Sequence, residues 1–524
     1  MPRATSTSLV TPACSSTAAF SLVCSARRAC LNSTCLLTGL KLDALIVTHA
    51  HSDHLGAVPL LFKLMPGLPV FMTEATARIA LPMLLDAARV AERNGAPLFS
   101  QDDVLRLLQH VTLMEPHAPF EVGEVTLTPR PSGHIVGAVG LLLEHRPSGF
   151  RAWHTADFNT VATPTTDAAY MPPVAEAVEA VVSEATYGRL ELPSRKTQNG
   201  NFIGQVKRVL AEGGRVLVPA FALGRAQDVL LTLTRQLQGV PVYLDGLTRD
   251  ITRLYARMPE HLPAGVRNQL DNGTDPFFPP NVRVVEDSGE REAIIREAKP
   301  AVILASSGML SQGVSPHYAR AVLREASSAV LIVGYQDAES AGRRLLEGRD
   351  EVTLNGEAVP VLSHVERFYL SAHADRLGIS QHLSRYPSPR LVLTHGEGGA
   401  REAILDLFRK ERQVSRPRVG EWVELAGKTA HGRPNVPRSS FLKKRGSIRI
   451  KHFKTDVRVI REGNRLVVEL PEGFDVALTP DGIYRLEAEW AGMAKLKLVE
   501  RPWSAVTVRD TAGEDTPNEV DEDG

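Results

Sequence analysis

Short apolar runs bounded by Gly and Pro recur along the chain and alternate with amphipathic stretches. Residues 42–48 are apolar and β-branched, which predicts a buried strand. Helical spacing follows at 74–95 and 101–110. Residues 125–127, 135–143, 151–155 and 181–183 read as further strands, the last leading into Glu184. From residue 214 the texture changes. Short apolar strands at 214–220, 240–244, 301–305 and 329–333 are separated by helical patterns, the first at 224–238. This alternation predicts a mostly parallel sheet covered by helices. After about 358, apolar strands resume at 368–370 and 390–394, each leading into a helix. Residues 427–440 are polar, carry Pro and Gly, and read as a linker. Residues 441–509 alternate in strand fashion, with turn signals at 462–464, 471–473 and 480–482. There is no internal repeat.

Composition narrows the class. A chain of 524 residues needs more than one domain. With 43% hydrophobic and 23% charged residues it is neither disordered, collagen-like nor a disulfide scaffold. Lys+Arg and Asp+Glu are 60 each, which excludes a strongly basic nucleic-acid binder but not a local basic groove. No run of about 18 apolar residues occurs, so no membrane association is expected. Residues 443–461 hold eight Lys or Arg against one Asp. Two readings stand open there, an RNA-binding face and a charged edge that discourages strand aggregation. The tail, 510–524, has seven acids and no base and reads as disordered. Residues 1–42 contain thirteen Ser or Thr, no Asp or Glu, and all four cysteines, at spacings that fit no zinc module. They read as an atypical leader, disordered or mispredicted. The cysteine-free remainder suits a reducing cytoplasm.

The chemistry concentrates after the first strand. His49, His51, Asp53 and His54 form an H-x-H-x-D-H run. In an extended segment residues i and i+2 share a side, so His49 and His51 can hold one metal ion. Asp53 and His54 lie one turn further and can face a second. Imidazole and carboxylate donors suit Zn²⁺. Two such ions about 3.5–4 Å apart can activate a hydroxide and clamp both oxygens of a phosphoryl transfer.

These residues resemble the metallo-β-lactamase superfamily. More narrowly, the chain resembles the β-CASP nucleases, among them the cleavage and polyadenylation endonuclease subunit and its archaeal and bacterial relatives. The likeness covers about 42–426. His134 in 131–138, Asp157 in 154–159, Glu184 in 183–188, His373 in 371–375 and His395 in 394–397 match successive family motifs. The runs 218–227, 306–309 and 334–336 are family-like too. The resemblance implies these roles: His49, His51 and His134 on one zinc, Asp53, His54 and His395 on the other, with Asp157 bridging. It implies a bridging hydroxide as nucleophile, His373 as general acid and Glu184 as its orienting partner. Ser307, Gly308 and Arg225 are candidate phosphate contacts, although Arg225 at a helix start equally suits a salt bridge.

The implied architecture is α/β: an αββα metallo-β-lactamase sandwich from 43–190 and 359–426, a β-CASP α/β domain (191–358) inserted into it, and a small β-rich module (441–509). The implied activity is a zinc-dependent ribonuclease acting on single-stranded RNA with two Zn²⁺. It would be endonucleolytic, with 5′–3′ exonuclease action as an addition and a homodimer as an open assembly. His395 resembles the RNA-cleaving branches, whereas the DNA-repair branch usually has an apolar residue there. Two rivals are a small-molecule metallo-hydrolase and an impaired RNA-binding scaffold. The second arises because the family carries an aspartate ahead of the histidine run, and residues 1–42 contain none. A wrong start or a frameshift would explain that, and loss of such support can cost about 10–100-fold in metal affinity or activity.

Overall fold

The computed structural model describes residues 42–95, 97–397, 399–418 and 421–425, together with the backbone of short strands at Val10–Pro12 and between 446 and 510. The linker at 427–440, most of the leader, the tail beyond 510 and the side chains of the basic run 443–461 lie outside the described residues. The chain divides into two compact units, Met1–His431 and Gly432–Gly524.

The first unit contains the predicted sandwich. A seven-stranded sheet runs Gln413–Ser415, Arg390–Leu393, Ala180–Ser183, Phe150–His154, Val139–His145, Val125–Pro131, Phe120–Val122. Its first four strands are parallel and the rest antiparallel. A three-stranded parallel sheet of Leu45–Ile46, Val70–Met72 and Val111–Leu113 faces it. Ala44, Ile46, Leu127, Val139 and Leu141 form the core between the two sheets. Helices cover both outer faces. Glu74–Arg93 is started by Thr73, whose hydroxyl accepts from Thr76 N, and it buries Ala75, Ile79, Ala80, Leu84 and Ala88 at helical spacing. Gln101–Gln109 begins with a Ser100/Asp103 capping box. On the other side, Arg376–Ser384 and Ala400–Phe408 pack Ile379, Leu383 and Ile404 against Trp153, Val181 and Leu391.

The inserted region is a six-stranded, all-parallel sheet. Its order is Val282–Val284, Val242–Asp245, Val302–Ala305, Val216–Pro219, Ala329–Ile332, His364–Arg367. Its central strands are buried throughout, as expected for a parallel sheet flanked by helices. One core is shared by both parts: Ile79, Leu84, Ile135 and Val136 pack with Leu223, Ala226, Leu230 and Tyr255. The insertion is thus fixed to the sandwich by buried apolar surface.

Three expectations shift. The strand expected at 135–143 starts at Val139, because Ile135 and Val136 are drawn into the shared core instead of a ladder. The strand expected at 368–370 is instead His364–Arg367, and it joins the six-stranded sheet, which therefore extends past 358. Phe368 and Leu370 are apolar because they are core residues, not because they are pleated. The helix from 224 ends at Thr234, short of 238. Within the stretch read as a leader, Val10–Pro12 pairs antiparallel with Trp422–Glu424.

In the second unit, Arg458–Glu462 and Arg465–Leu470 pair antiparallel, with Glu462 opposite Arg465 at the expected turn. Ala505–Asp510 adds in parallel, and Gly446–Arg449 pairs with Tyr484–Glu487. Among the described residues no helix is long and apolar enough to cross a membrane.

Candidate metal centre

The candidate residues sit on loops at one end of the sandwich strands. His49 follows Leu45–Ile46 and is fully buried. His51 is the extended N-cap residue of the helical turn Ser52–Leu55, which carries Asp53 and His54. Asp157, Glu184 and His395 follow the carboxyl ends of three adjacent parallel strands, Phe150–His154, Ala180–Ser183 and Arg390–Leu393. In α/β sheets that is where ligands bind. His134 stands in the loop before Val139. Gly133 there has φ 69, and a Cβ would meet Ala169 N at 2.5 Å and Asn159 O at 2.6 Å, so glycine is what lets this loop approach. His395 itself holds a positive φ of 32, a conformation that non-glycine residues keep chiefly at functional sites.

The loops bring the donors together. Ligand atoms of His49, His51 and His134 lie within 4.8 Å of one another, as do those of Asp53, His54, Asp157 and His395. Asp157 belongs to the second cluster and also approaches His49 and His134 of the first. Its Oδ2 lies 3.7 Å from His49 Nε2, 3.2 Å from His54 Nε2, 3.8 Å from His134 Nε2 and 3.9 Å from His395 Nε2. Asp53 Oδ2 is 3.4 Å from both His54 Nε2 and His395 Nε2. The far ring nitrogens are tied outward: His134 Nδ1 to Ala372 O at 2.8 Å, His51 Nε2 to Leu223 O at 3.4 Å, and His49 Nδ1 to Thr48 Oγ1 at 3.2 Å. Such outward bonds fix ring orientation in metal-binding histidines.

Electrostatics separates the two groups. Burial, helped by neighbouring imidazoles, keeps His49 and His134 well below the usual histidine range. Burial also holds His51 at about 4, against the pull of Asp53 and Asp157. In His54 and His395 burial is outweighed by those two carboxylates, and the imidazoles are pushed up to about 10 and about 9. Asp157, despite its burial, is held well below the usual carboxylate range by His395 and His54. The side facing Asp53 and Asp157 therefore favours positive charge, where a divalent cation would take the place of those protons, while His49, His51 and His134 stay neutral, as ligands must be. The buried Nε2 of His49 makes no hydrogen bond. A buried nitrogen without a hydrogen bond, aimed among carboxylate and imidazole donors, is what a zinc ligand requires. The donor set fits.

His373 borders the same space. Its ring centroid lies 4.5 Å from that of His134 and 5.7 Å from that of His395. Distance alone would admit it as a ligand beside His134 and Asp157. Its Nδ1, however, is 3.0 Å from both oxygens of Glu184. Burial opposes protonation of His373, but the Glu184 carboxylate raises its pKa above the ordinary value. Glu184 also accepts from Phe158 N at 2.9 Å, next to Asp157, and from the Thr186 hydroxyl. That hydroxyl oxygen lies 2.7 Å from His395 Nδ1. One buried carboxylate thus orders His373, His395 and the Asp157 loop. Sequence reasoning missed Thr186. Its only signal was its place two residues after Glu184.

The remaining candidates lie at the carboxyl edge of the six-stranded sheet. Arg225 is buried at the start of its helix, with Nη1 3.4 Å from Asp228 Oδ2. Asp228 is shared with Thr165, which donates its N–H at 3.1 Å and its hydroxyl at 2.8 Å. Ser307 N donates to Gln312 O, and Gly308 O accepts from Gln336 Nε2 at 2.8 Å. His154, read as a non-ligand, uses its Nδ1 to accept from Ala156 N at 3.0 Å.

Comparison with known proteins agrees with this geometry. A Beta-Casp domain family matches residues 226–345, and a Beta-lactamase superfamily domain family matches residues 20–187. The second match starts inside the stretch read as a leader. The chain is similar to a Lokiarchaeum protein named transcription termination factor FttA, 31% identical over 398 residues, 71% of this chain and 61% of that one. It is similar to the Thermococcus kodakarensis protein of the same name, 31% identical over 378 residues, 68% of this chain and 57% of the relative. It is also 31% identical over 392 residues to a Thermus thermophilus protein named ribonuclease TTHA0252, covering 74% of this chain and 88% of the relative. The chain thus spans about three fifths of the FttA proteins and most of the Thermus one. On this likeness, and with both domains in place, the chain belongs to the β-CASP family of the metallo-β-lactamase superfamily.

Proposed function

We propose that this protein is a zinc-dependent ribonuclease that hydrolyses phosphodiester bonds in single-stranded RNA. It cuts internally and also acts 5′–3′ from an end. The reading is carried by one observation: a single buried carboxylate oxygen, Asp157 Oδ2, lies 3.2–3.9 Å from the Nε2 atoms of four histidines drawn from both candidate clusters. His49, His51 and His134 would hold one zinc, Asp53, His54 and His395 the other, with Asp157 between. When bound, the two ions supply a water of lowered pKa and neutralise charge on the phosphate.

The chain's own residues do the rest. Hydrolysis joins a water oxygen to phosphorus and releases a ribose oxygen that needs a proton. His373 supplies it. Its Nδ1 is engaged by Glu184, which leaves Nε2 for proton transfer, and the carboxylate favours the protonated imidazole against the effect of burial. Ser307, Gly308 and Arg225 contact the flanking phosphates. Arg225 would do so with the guanidinium N–H groups that its ion pair with Asp228, made through Nη1, does not engage. The Thermus relative, matched over most of its length, is named a ribonuclease, and that name supports the substrate chosen here. The cysteine-free body supports a cytoplasmic setting. Light scattering will tell monomer from homodimer.

The test presents RNA, single-stranded DNA, a lactone and a thioester side by side, with His373→Ala as control. RNA cleavage that drops about 100-fold or more in the variant supports the reading. Lactone or thioester turnover without RNA cleavage would replace it with a small-molecule hydrolase. RNA cleavage undiminished in the variant would remove His373 as the acid.

A further inference from the structure

Tyr335 follows Ala329–Ile332 at the carboxyl edge of the six-stranded sheet. Glu397 follows Arg390–Leu393 of the seven-stranded sheet, two residues beyond His395. The Tyr335 hydroxyl donates to Glu397 Oε2 at 2.9 Å. This hydrogen bond joins the inserted region to the sandwich beside the candidate metal centre. Although tethered at its tip, Tyr335 is 41% exposed. Phe221, half-buried, packs against the residue before Tyr335: its ring carbon is 3.0 Å from where a Cβ on Gly334 would stand. Phe221 N is in turn 2.8 Å from where a Cβ on Gly308 would stand. Gly308 is buried beneath the Phe221 backbone, and the two glycines let the loops carrying Phe221 and Tyr335 approach one another closely.

An exposed aromatic ring beside the candidate metal centre, oriented by a hydrogen bond at its hydroxyl, has a specific use. Single-stranded nucleic acids are held by stacking of bases on such rings, without sequence preference because every base offers a π face. Tethering the hydroxyl also removes the rotational freedom that stacking would otherwise cost. We propose that Tyr335, positioned by Glu397, is the stacking platform for an RNA base beside the cleaved phosphate. The inference rests on the ribonuclease reading and adds a base contact to it.

The test uses the zinc-loaded full chain carrying His373→Ala, so that bound RNA persists. Single-stranded RNA oligomers with 2-aminopurine placed at successive positions are titrated against this parent and against added Tyr335→Phe, Tyr335→Leu and Tyr335→Ala. Stacking quenches 2-aminopurine, so the parent is expected to quench at one defined position, and Tyr335→Phe, which keeps the ring but lacks the tether to Glu397, to quench there with weaker binding. Tyr335→Ala and Tyr335→Leu should lose that quench and bind about tenfold more weakly. The leucine variant keeps apolar bulk at the site, so it reports stacking even if the alanine variant folds poorly. Parent-like quenching and affinity in Tyr335→Leu would overturn the platform and leave the ribonuclease reading intact. Failure of the parent to bind RNA at all would overturn both.

Discussion

Replacing Thr186 with valine removes one oxygen while keeping the shape of the side chain. In the structure that oxygen is 2.7 Å from His395 Nδ1, and its proton goes to Glu184 Oε2. In the variant both hydrogen bonds are lost, and the His395 Nδ1–H faces a methyl group. A buried donor left without a partner costs about 1–3 kcal/mol. At about 1.4 kcal/mol per factor of ten, this is about 5- to 150-fold, and it acts on the site that contains His395. The same range is typical when an outward partner of a metal-bound histidine is removed. The assay is competitive zinc titration against a chelating dye. Two-step release is expected in the parent, with one step weakened in Thr186→Val and the other unchanged. Thr186→Ser, which keeps the hydroxyl, should restore the weakened step. If Thr186→Val binds both ions as tightly as the parent, the chain from Glu184 through Thr186 to His395 does not orient a ligand.

Other outcomes follow from the same coordinates. Elemental mass spectrometry of the purified chain should find about two zinc ions, and dialysis against a chelator should abolish RNA cleavage until zinc is returned; a chain free of metal yet fully active contradicts the assignment. Arg215 is fully buried, with Nε on Glu325 at 3.1 Å and Nη1 on the carbonyls of Ile294 and Ile295 at 3.1 and 3.0 Å. Arg215→Ala should lower the unfolding free energy by about 3–5 kcal/mol in denaturant titration, and a loss under about 1 kcal/mol would show that water replaces these bonds. Glu176 accepts from Arg130 and Arg151. Burial works against its ionisation, but Arg130 holds its pKa below the usual 4.5. Its contribution is therefore complete above about pH 4.5 and fades as the pH falls through the folded value. Glu176→Gln should flatten the loss of melting temperature over that acidic window, and parallel curves would remove the pair from acid sensitivity.

The sequence by itself determined the α/β alternation, since apolar runs of strand length and helices with capped starts are local features. It also determined the H-x-H-x-D-H cluster, because residues two apart on extended chain share a side and six residues of chain cannot carry the donors far apart. His134, Asp157, Glu184, His373 and His395 were legible only through likeness to a family, because separations of tens to hundreds of residues carry no distance. The tertiary structure closed those separations: three adjacent parallel strands end side by side and deliver Asp157, Glu184 and His395 to one place. Only the structure moved Ile135 and Val136 from a strand into the shared core, and Phe368 and Leu370 out of one. Only the structure showed Thr186 between Glu184 and His395, and Tyr335 tied to Glu397 across two sheets. A hydroxyl or a phenol gives no pattern in sequence. Its role depends on which atoms lie within 3 Å, and that is set by how two sheets and their helices bury apolar surface against one another.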